Sequence, residues 1–271
     1  MAYKILLGVV AALMILNAGL LFDTQRTRWA TVKAAEEAAK PAEVSFTLIK
    51  PKDCKECFDA AAALGQLQEN PGVKVKEQKI VTLGEDTANT LIAQYAITRL
   101  PAVVVQGDTE KLLLKIPSLS QAGSSVPSGT ELKDKTLVMT KFPPPYFDLT
   151  SKAVKGLLKV TYITVSSCKD CYDVQLHKLA LGNLGITASN EVTVSQSSDA
   201  GQKLIARYGI QKLPTVVLTG DMAEYPILKQ IWSSVGSIAK DGAYVFTALE
   251  SMGTYKDLKT GKIVKPKTNN Q

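Results

Sequence analysis

The chain has four cysteines, and all of them fall in two pairs of the same spacing: Cys54-Lys55-Glu56-Cys57 and Cys168-Lys169-Asp170-Cys171. Each pair stands where an apolar, strand-like run gives way to a helix-like one. Cysteines at i and i+3 in a first helical turn share a face, so their sulfurs can close a small disulfide ring without backbone rearrangement. The first sulfur then lies near the unpaired N–H groups at the positive end of the helix, which favour thiolate over thiol and mark Cys54 and Cys168 as nucleophiles. Cys57 and Cys171, one turn further in, are the resolving thiols that attack a mixed disulfide and release the substrate. On spacing alone two other uses stay open. Two such pairs can give zinc four thiolates, although the 168 − 57 = 111 positions between them far exceed a zinc-ribbon loop. The thiols can also be inert.

The charges around the pairs differ. Lys55 and Lys169 would lower the thiolate pKa, whereas Asp53, Glu56 and Asp170 oppose them; Ser166 and Ser167 are neutral. Cys168 is therefore expected to be the more reactive first thiol, with surface solubility as the plain alternative for these charges. His177 is the one histidine. On a helix begun at Cys168 it is turned roughly 120° away from Cys171, which predicts a surface histidine rather than a relay.

The elements that must position these residues follow from pattern and length. A chain of 271 residues with 45% hydrophobic side chains can fill two small cores. Its 32 basic and 25 acidic residues leave a mild excess of +7, densest in the lysine-rich tail after Tyr255. Without clustered arginines or aromatic platforms, nucleic-acid binding is not indicated, and an anionic membrane surface fits the charge better.

Ile5 to Phe22 is 18 residues without a charge, about 27 Å as a helix, enough to cross a bilayer core. Small residues are hard to place at a cleavage site before Phe22, so an uncleaved single-pass anchor is expected, followed by a helical stalk that ends at Pro41. Arg26, Arg28 and Lys33 just beyond the anchor would hold the large part in the cytoplasm if charges alone are counted. Paired cysteines make most sense where disulfides persist, which places it outside the cytoplasm.

Two runs of elements then succeed each other in the order β-α-β-α-β-β. In the first, Val44 to Ile49 is a strand, an alanine-rich helix follows the cysteines and stops at Asn70-Pro71-Gly72, Val73 to Val81 is the second strand, and Asp86 caps a helix through Tyr95. Pro101 opens a β-branched strand, and Gln106-Gly107-Asp108 turns into another. In the second, Leu158 to Val165, a helix from Cys168 to about Leu181, Asn190 to Val194, a helix capped by Ser198 or Asp199 and the strand after Pro214 repeat the order. Ile92 to Val105 matches Ile205 to Leu218 at 8 of 14 positions, and the spacings agree, 101 − 54 = 47 and 214 − 168 = 46. Asp148-Leu149 within Tyr146 to Gly156 resembles Asp257-Leu258 within Tyr255 to Gly261, an added hairpin in each unit. Ser118 to Gly129 and Pro143-Pro144-Pro145 belong to the connection, the prolines as a rigid spacer. Trp232 and Tyr244 to Phe246 are read as core of the last extension, not as a cofactor box, and no cofactor is called for. The expected division is an anchor at 1–23, a stalk at 24–42, units at 43–117 and 157–230, a linker with extension at 118–156, and an extension with basic tail at 231–271.

A Cys-x-x-Cys at a strand-to-helix step, with a proline about 46 residues later opening a buried strand, resembles the thioredoxin fold. The tandem units resemble the glutaredoxin-like protein disulfide oxidoreductases over about Val44 to Leu228. The resemblance implies that Pro101 and Pro214 are cis and lie against Cys54/Cys57 and Cys168/Cys171, and that the backbone of Leu100 and Leu213 binds a substrate strand. Core packing is the plain alternative for both leucine side chains. The chain departs from the thioredoxins in lacking their tryptophan before the first cysteine, their Gly-Pro between the cysteines, and their buried acid, where Leu48 and Tyr162 stand. Without that acid, a proton from the second thiol must leave through water or a nearby lysine.

The function so implied is a membrane-anchored thiol–disulfide oxidoreductase acting on protein thiols, with a quinone-linked membrane oxidase or reductase as a natural redox partner. The competing readings are a non-catalytic binding or assembly module with structural disulfides, and a thiolate carrier of Zn²⁺ or Cu⁺.

Overall fold

The computed structural model describes residues 28–29, 31–33, 35–120, 130–133 and 135–266. The expected anchor lies outside the described residues; among those described, no helix is long and apolar enough to cross a membrane. Residues 28–29, 31–33 and 35–39 are helical and exposed, Trp29 at 74%.

The fold proper is mixed α/β. Its first half runs β1 (Ala42–Lys50), α1 (Ala60–Gln68), β2 (Val73–Thr82), α2 (Asp86–Tyr95), β3 (Arg99–Leu100), β4 (Ala102–Gly107), α3 (Thr109–Lys115), β5 (Thr130–Lys133), β6 (Thr136–Met139), and the hairpin β7 (Tyr146–Asp148) and β8 (Ala153–Lys155). The second half runs β9 (Leu158–Thr164), α4 (Leu176–Asn183), β10 (Asn190–Ser195), α5 (Asp199–Tyr208), β11 (Lys212–Leu213), β12 (Thr215–Gly220), α6 (Pro226–Val235), β13 (Gly236–Ile238), β14 (Tyr244–Phe246), and the hairpin β15 (Tyr255–Asp257) and β16 (Ile263–Val264). Two five-stranded sheets share one order, β2-β1-β4-β6-β5 and β10-β9-β12-β14-β13. In each the first pair is parallel and the remaining pairs antiparallel.

Alternation along the strands explains why both sheet faces are covered. Val44, Phe46 and Leu48 on β1 point with Val103 and Val105 toward α1 and α3, where Leu64 and Leu112 close one core. Ile49, Ala102 and Val104 point the other way, onto Ala88 and Tyr95 of α2. In the second half Val160, Tyr162 and Leu218 meet Leu181, Leu228 and Trp232, while Ile163 and Val217 meet the α5 side through Leu204 and Ile205.

Three expectations are corrected. The turn after β4 leads not into a strand but into α3, and the turn after β12 leads into α6. Gly107 (φ 114°) and Gly220 (φ 118°) take a conformation that side chains rarely adopt, and the next aspartate turns back to the start of the half. Asp108 N–H donates to Glu43 O (3.0 Å) and Asp221 N–H to Leu157 O (3.0 Å). The reversed chain crosses the sheet as a helix that buries Leu112 in α3, and Leu228 and Trp232 one turn apart in α6. Second, Tyr244 to Phe246 are core as expected but of the second sheet itself rather than of an added extension: β14 pairs with β12, and the indole N–H of Trp232, on α6, donates to Val245 O (3.2 Å). Third, Asp86 is the first residue of its helix rather than the cap; of the two candidates for the later helix, Ser198 is the cap, its hydroxyl accepting from Gly201 N–H.

The hairpins form two further small sheets, β3-β7-β8 and β11-β15-β16. The shared Asp-Leu is the reason they look alike in sequence. Asp148 accepts from Ser151 N–H (2.6 Å) and Asp257 from Thr260 N–H (2.8 Å), so each aspartate closes the same side-chain turn at its hairpin's tip.

Candidate active site

Each cysteine pair is closed on itself. Cys54–Cys57 has an S–S distance of 2.04 Å and Cys168–Cys171 one of 2.07 Å, with Cα atoms 5.4 Å apart in both. A single four-thiolate centre needs all four sulfurs together, and each pair is instead bonded to itself, on loops that follow strands of two separate sheets. Among the described residues no cluster of three or more histidine, cysteine or acidic side chains could hold a metal.

The cysteines do not occupy first helical turns. Both pairs lie in turns, and the helices begin later, α1 at Ala60 and α4 at Leu176. In the first half the reason is Asp59, two residues after the pair, which caps α1; Asp173 at the matching place closes a turn just ahead of α4. The Asp59 carboxylate accepts from Ala61 N–H (3.0 Å) and Ala62 N–H (3.4 Å), and that of Asp173 from Gln175 N–H (2.9 Å). Aspartate is a stronger helix-starting residue than cysteine, and in α1 it takes the N–H groups that were expected to favour the Cys54 thiolate.

Burial also departs from expectation. Cys168, read as the more reactive nucleophile, is only 7% exposed, packed with Ile163, Val165, Leu213 and Val217, whereas Cys171 and the first pair are partly exposed. Val165 O accepts its N–H (3.2 Å), which turns the chain inward before the loop closes. Cys57 lies on the wall of a groove of about 780 Å³ between Phe58, Pro144 and Pro145 on one side and Thr187 to Ser189 on the other.

The peptide bonds Leu100–Pro101 and Leu213–Pro214 are cis, as is Pro144–Pro145. Leu100 and Leu213 are fully buried. Leu213 packs in the cluster that holds Cys168 and Cys171, and Leu100 packs with Ile49, Val81 and Val104. The backbone at these leucines is not an open edge. Leu100 is paired antiparallel with Phe147 and Leu213 with Lys256, each on the chain's own hairpin.

His177 is not on the surface. It is 7% exposed, its ring packs edge-on against Phe246 at 4.4 Å, and its Nε2 lies 3.2 Å from the Tyr172 hydroxyl. That hydroxyl donates to Pro214 O (2.8 Å), so its oxygen accepts from a neutral His177 protonated at Nε2. Burial pushes the His177 pKa down to about 4 and the Tyr172 phenol up. Sequence reasoning missed this group because it counted the angle from Cys171 along a helix begun at Cys168, 176 − 168 = 8 residues before α4 begins. The available signal was the difference between the units, Tyr172 and His177 in one against Phe58 and Ala63 in the other.

Leu48 and Tyr162, standing where a buried acid was looked for, are both fully buried. The Tyr162 hydroxyl reaches Glu191 (3.4 Å), and burial pushes its pKa up to about 12. No carboxylate is buried among the described residues.

No family model and no curated protein matches the chain. Among solved structures it is similar to a protein disulfide oxidoreductase from Aeropyrum pernix, at 16% identity and a TM-score of 0.21, covering 72% of this chain and 83% of that one. The NTD N/C domain of the alkylhydroperoxide reductase AhpF from Enterococcus faecalis aligns at 12% identity and a TM-score of 0.20, over 77% of this chain and 98% of that one. ERdj5 aligns at 12% identity and a TM-score of 0.18, over 80% of this chain and 26% of that one.

Proposed function

We propose that the protein is a membrane-anchored thiol–disulfide oxidoreductase of two thioredoxin-like units that exchanges disulfides with protein thiols through Cys54–Cys57 and Cys168–Cys171. The observation that carries this reading is that every cysteine is committed to a disulfide between residues three apart, on the loop leaving an interior strand, β1 or β9. A thiolate attacking one sulfur forms a mixed disulfide and releases the other cysteine as thiolate. A second thiol of the partner then closes the partner's own disulfide, and two electrons reach the cysteine pair. Residues 1–23 anchor the chain, 24–42 hold it off the bilayer, 43–117 with the linker and hairpin to 156 form one unit, and 157–230 with the strands that follow form the other. The folded part works outside the cytoplasm, and a quinone-linked membrane enzyme renews its redox state.

Cys54→Ser and Cys168→Ser should each abolish mixed-disulfide formation at their own site. Undiminished insulin reduction by the double variant defeats the proposal. The burial of Cys168 favours a second reading for the second site alone, a structural disulfide. Separate titration decides, since a structural bond sits below about −300 mV and an exchanging one near the ambient poise.

A further inference from the structure

Each half has a two-residue strand ahead of its cis proline, β3 or β11, and each of those strands carries the chain's own hairpin. Leu213 shares an apolar cluster with Cys168 and Cys171, so β11 is the backbone an extended chain would meet on bringing a cysteine to this disulfide. In an antiparallel pair, alternate residues turn their N–H and C=O toward the partner. Leu258 N–H donates to Gln211 O (2.7 Å), which sets the phase: Gln211 and Leu213 face the hairpin, Leu213 opposite Lys256. The other edge presents Lys212 and Pro214; the proline has no N–H and its carbonyl already accepts the Tyr172 hydroxyl, so at most Lys212 could pair a strand there. The hairpin side of the first half is built alike: Leu149 N–H donates to Thr98 O (2.8 Å), and Leu100 lies opposite Phe147; Phe58, at the place of Tyr172, has no hydroxyl to offer Pro101.

A second anchorage recurs. The residue after each second cysteine is tied to the residue before its hairpin, Phe58 N–H to Pro145 O (2.8 Å) and Tyr172 N–H to Thr254 O (2.9 Å). In the second half the Lys256 ammonium also reaches Ser167 (3.4 Å) and Gln196 (3.3 Å), and Lys265 lies 3.9 Å from Asp170 inside the cysteine loop. Each hairpin therefore bonds both the strand before the proline and the loop that holds the sulfurs.

We infer that β7–β8 and β15–β16 set the substrate class: they hold the edges at Leu100 and Leu213, so the disulfides exchange with cysteines that reach in as side chains from a folded partner's surface. Cysteines within extended chains gain nothing from strand pairing here. The inference rests on the exchange reading above.

The test uses the full chain in detergent and two short β-branched peptides with one central cysteine, one of them N-methylated on both flanking residues so that it cannot pair as a strand. Mixed-disulfide formation is followed by mass spectrometry, with each rate normalised to that peptide's reaction with oxidised glutathione. Two lost backbone bonds at a used edge would slow exchange on the order of tenfold. The expected result is rates within about threefold of each other, and a larger slowing of the methylated peptide overturns the inference while leaving the exchange reading intact. Failure of dithiothreitol to reduce either disulfide in the folded protein overturns the exchange reading and this inference with it.

Discussion

Acid should loosen the second half of the molecule through His177, and the size of the effect follows from its burial. A folded pKa of about 4 against an ordinary 6.5 means that between those values the unfolded chain binds a proton that the folded one refuses. Stability therefore rises with pH in this window: it is fully present above about 6.5 and lost progressively as pH falls toward 4. At roughly 1.4 kcal/mol per pH unit the loss is about 3 kcal/mol, a large part of a domain stability of about 5–15 kcal/mol. Trp232 is buried in the same cluster as Tyr172 and reports this half, so urea unfolding followed by its fluorescence in a Trp29→Phe background measures the effect. His177→Leu keeps the packing against Phe246 and removes the titration. Carboxylates titrate in both proteins, so the stability advantage of the wild type over His177→Leu should shrink by about 3 kcal/mol between pH 7 and 4. An advantage constant to within about 0.5 kcal/mol would show that His177 is not held neutral by burial, and the reasoning fails.

Tyr172→Phe should cost about 1–3 kcal/mol, because the buried Pro214 carbonyl loses its donor; a urea midpoint matching wild type refutes the bond's importance. The same variant should shift the reduction potential of Cys168–Cys171 and leave Cys54–Cys57, which has Phe58 at the matching position, unmoved. Gly220→Ala should destabilise by about 2 kcal/mol or more, since the new Cβ would stand 2.1 Å from Leu157 O at a φ of 118°. Thermal unfolding with a midpoint unchanged within a degree would contradict that geometry.

Strands β1, β2, β4, β9, β10 and β12 and helices α1, α2 and α5 were legible from local pattern, whereas β5, β6, β13, β14, α3 and α6 were not. Apolar alternation in Val44 to Ile49 and Leu158 to Val165 specifies a face for each residue without reference to the rest of the chain. The cysteine spacing is equally local, since residues three apart in a turn can bond whatever lies around them. The repeated Leu-Pro before each β-branched run located the strands after Pro101 and Pro214, and the sheet orders then agree between the halves. Asp59 is a helix-starting residue type in the right place, a local signal that the reading from the cysteines did not use.

What only the tertiary structure decided are contacts between segments far apart in the chain. Cys168 is buried because Leu213, Val217 and Val245 converge on it from three other strands, and no window around the cysteine contains them. His177 is neutral and enclosed because Phe246, 69 positions later, lies across its ring. The edges at Leu100 and Leu213 are occupied because the hairpins fold back onto them, a pairing that depends on where β4 and β12 place the following turns. Residue types determine which bonds a segment can form; which partner takes them depends on the path of the chain, and that path emerges only when both sheets are assembled.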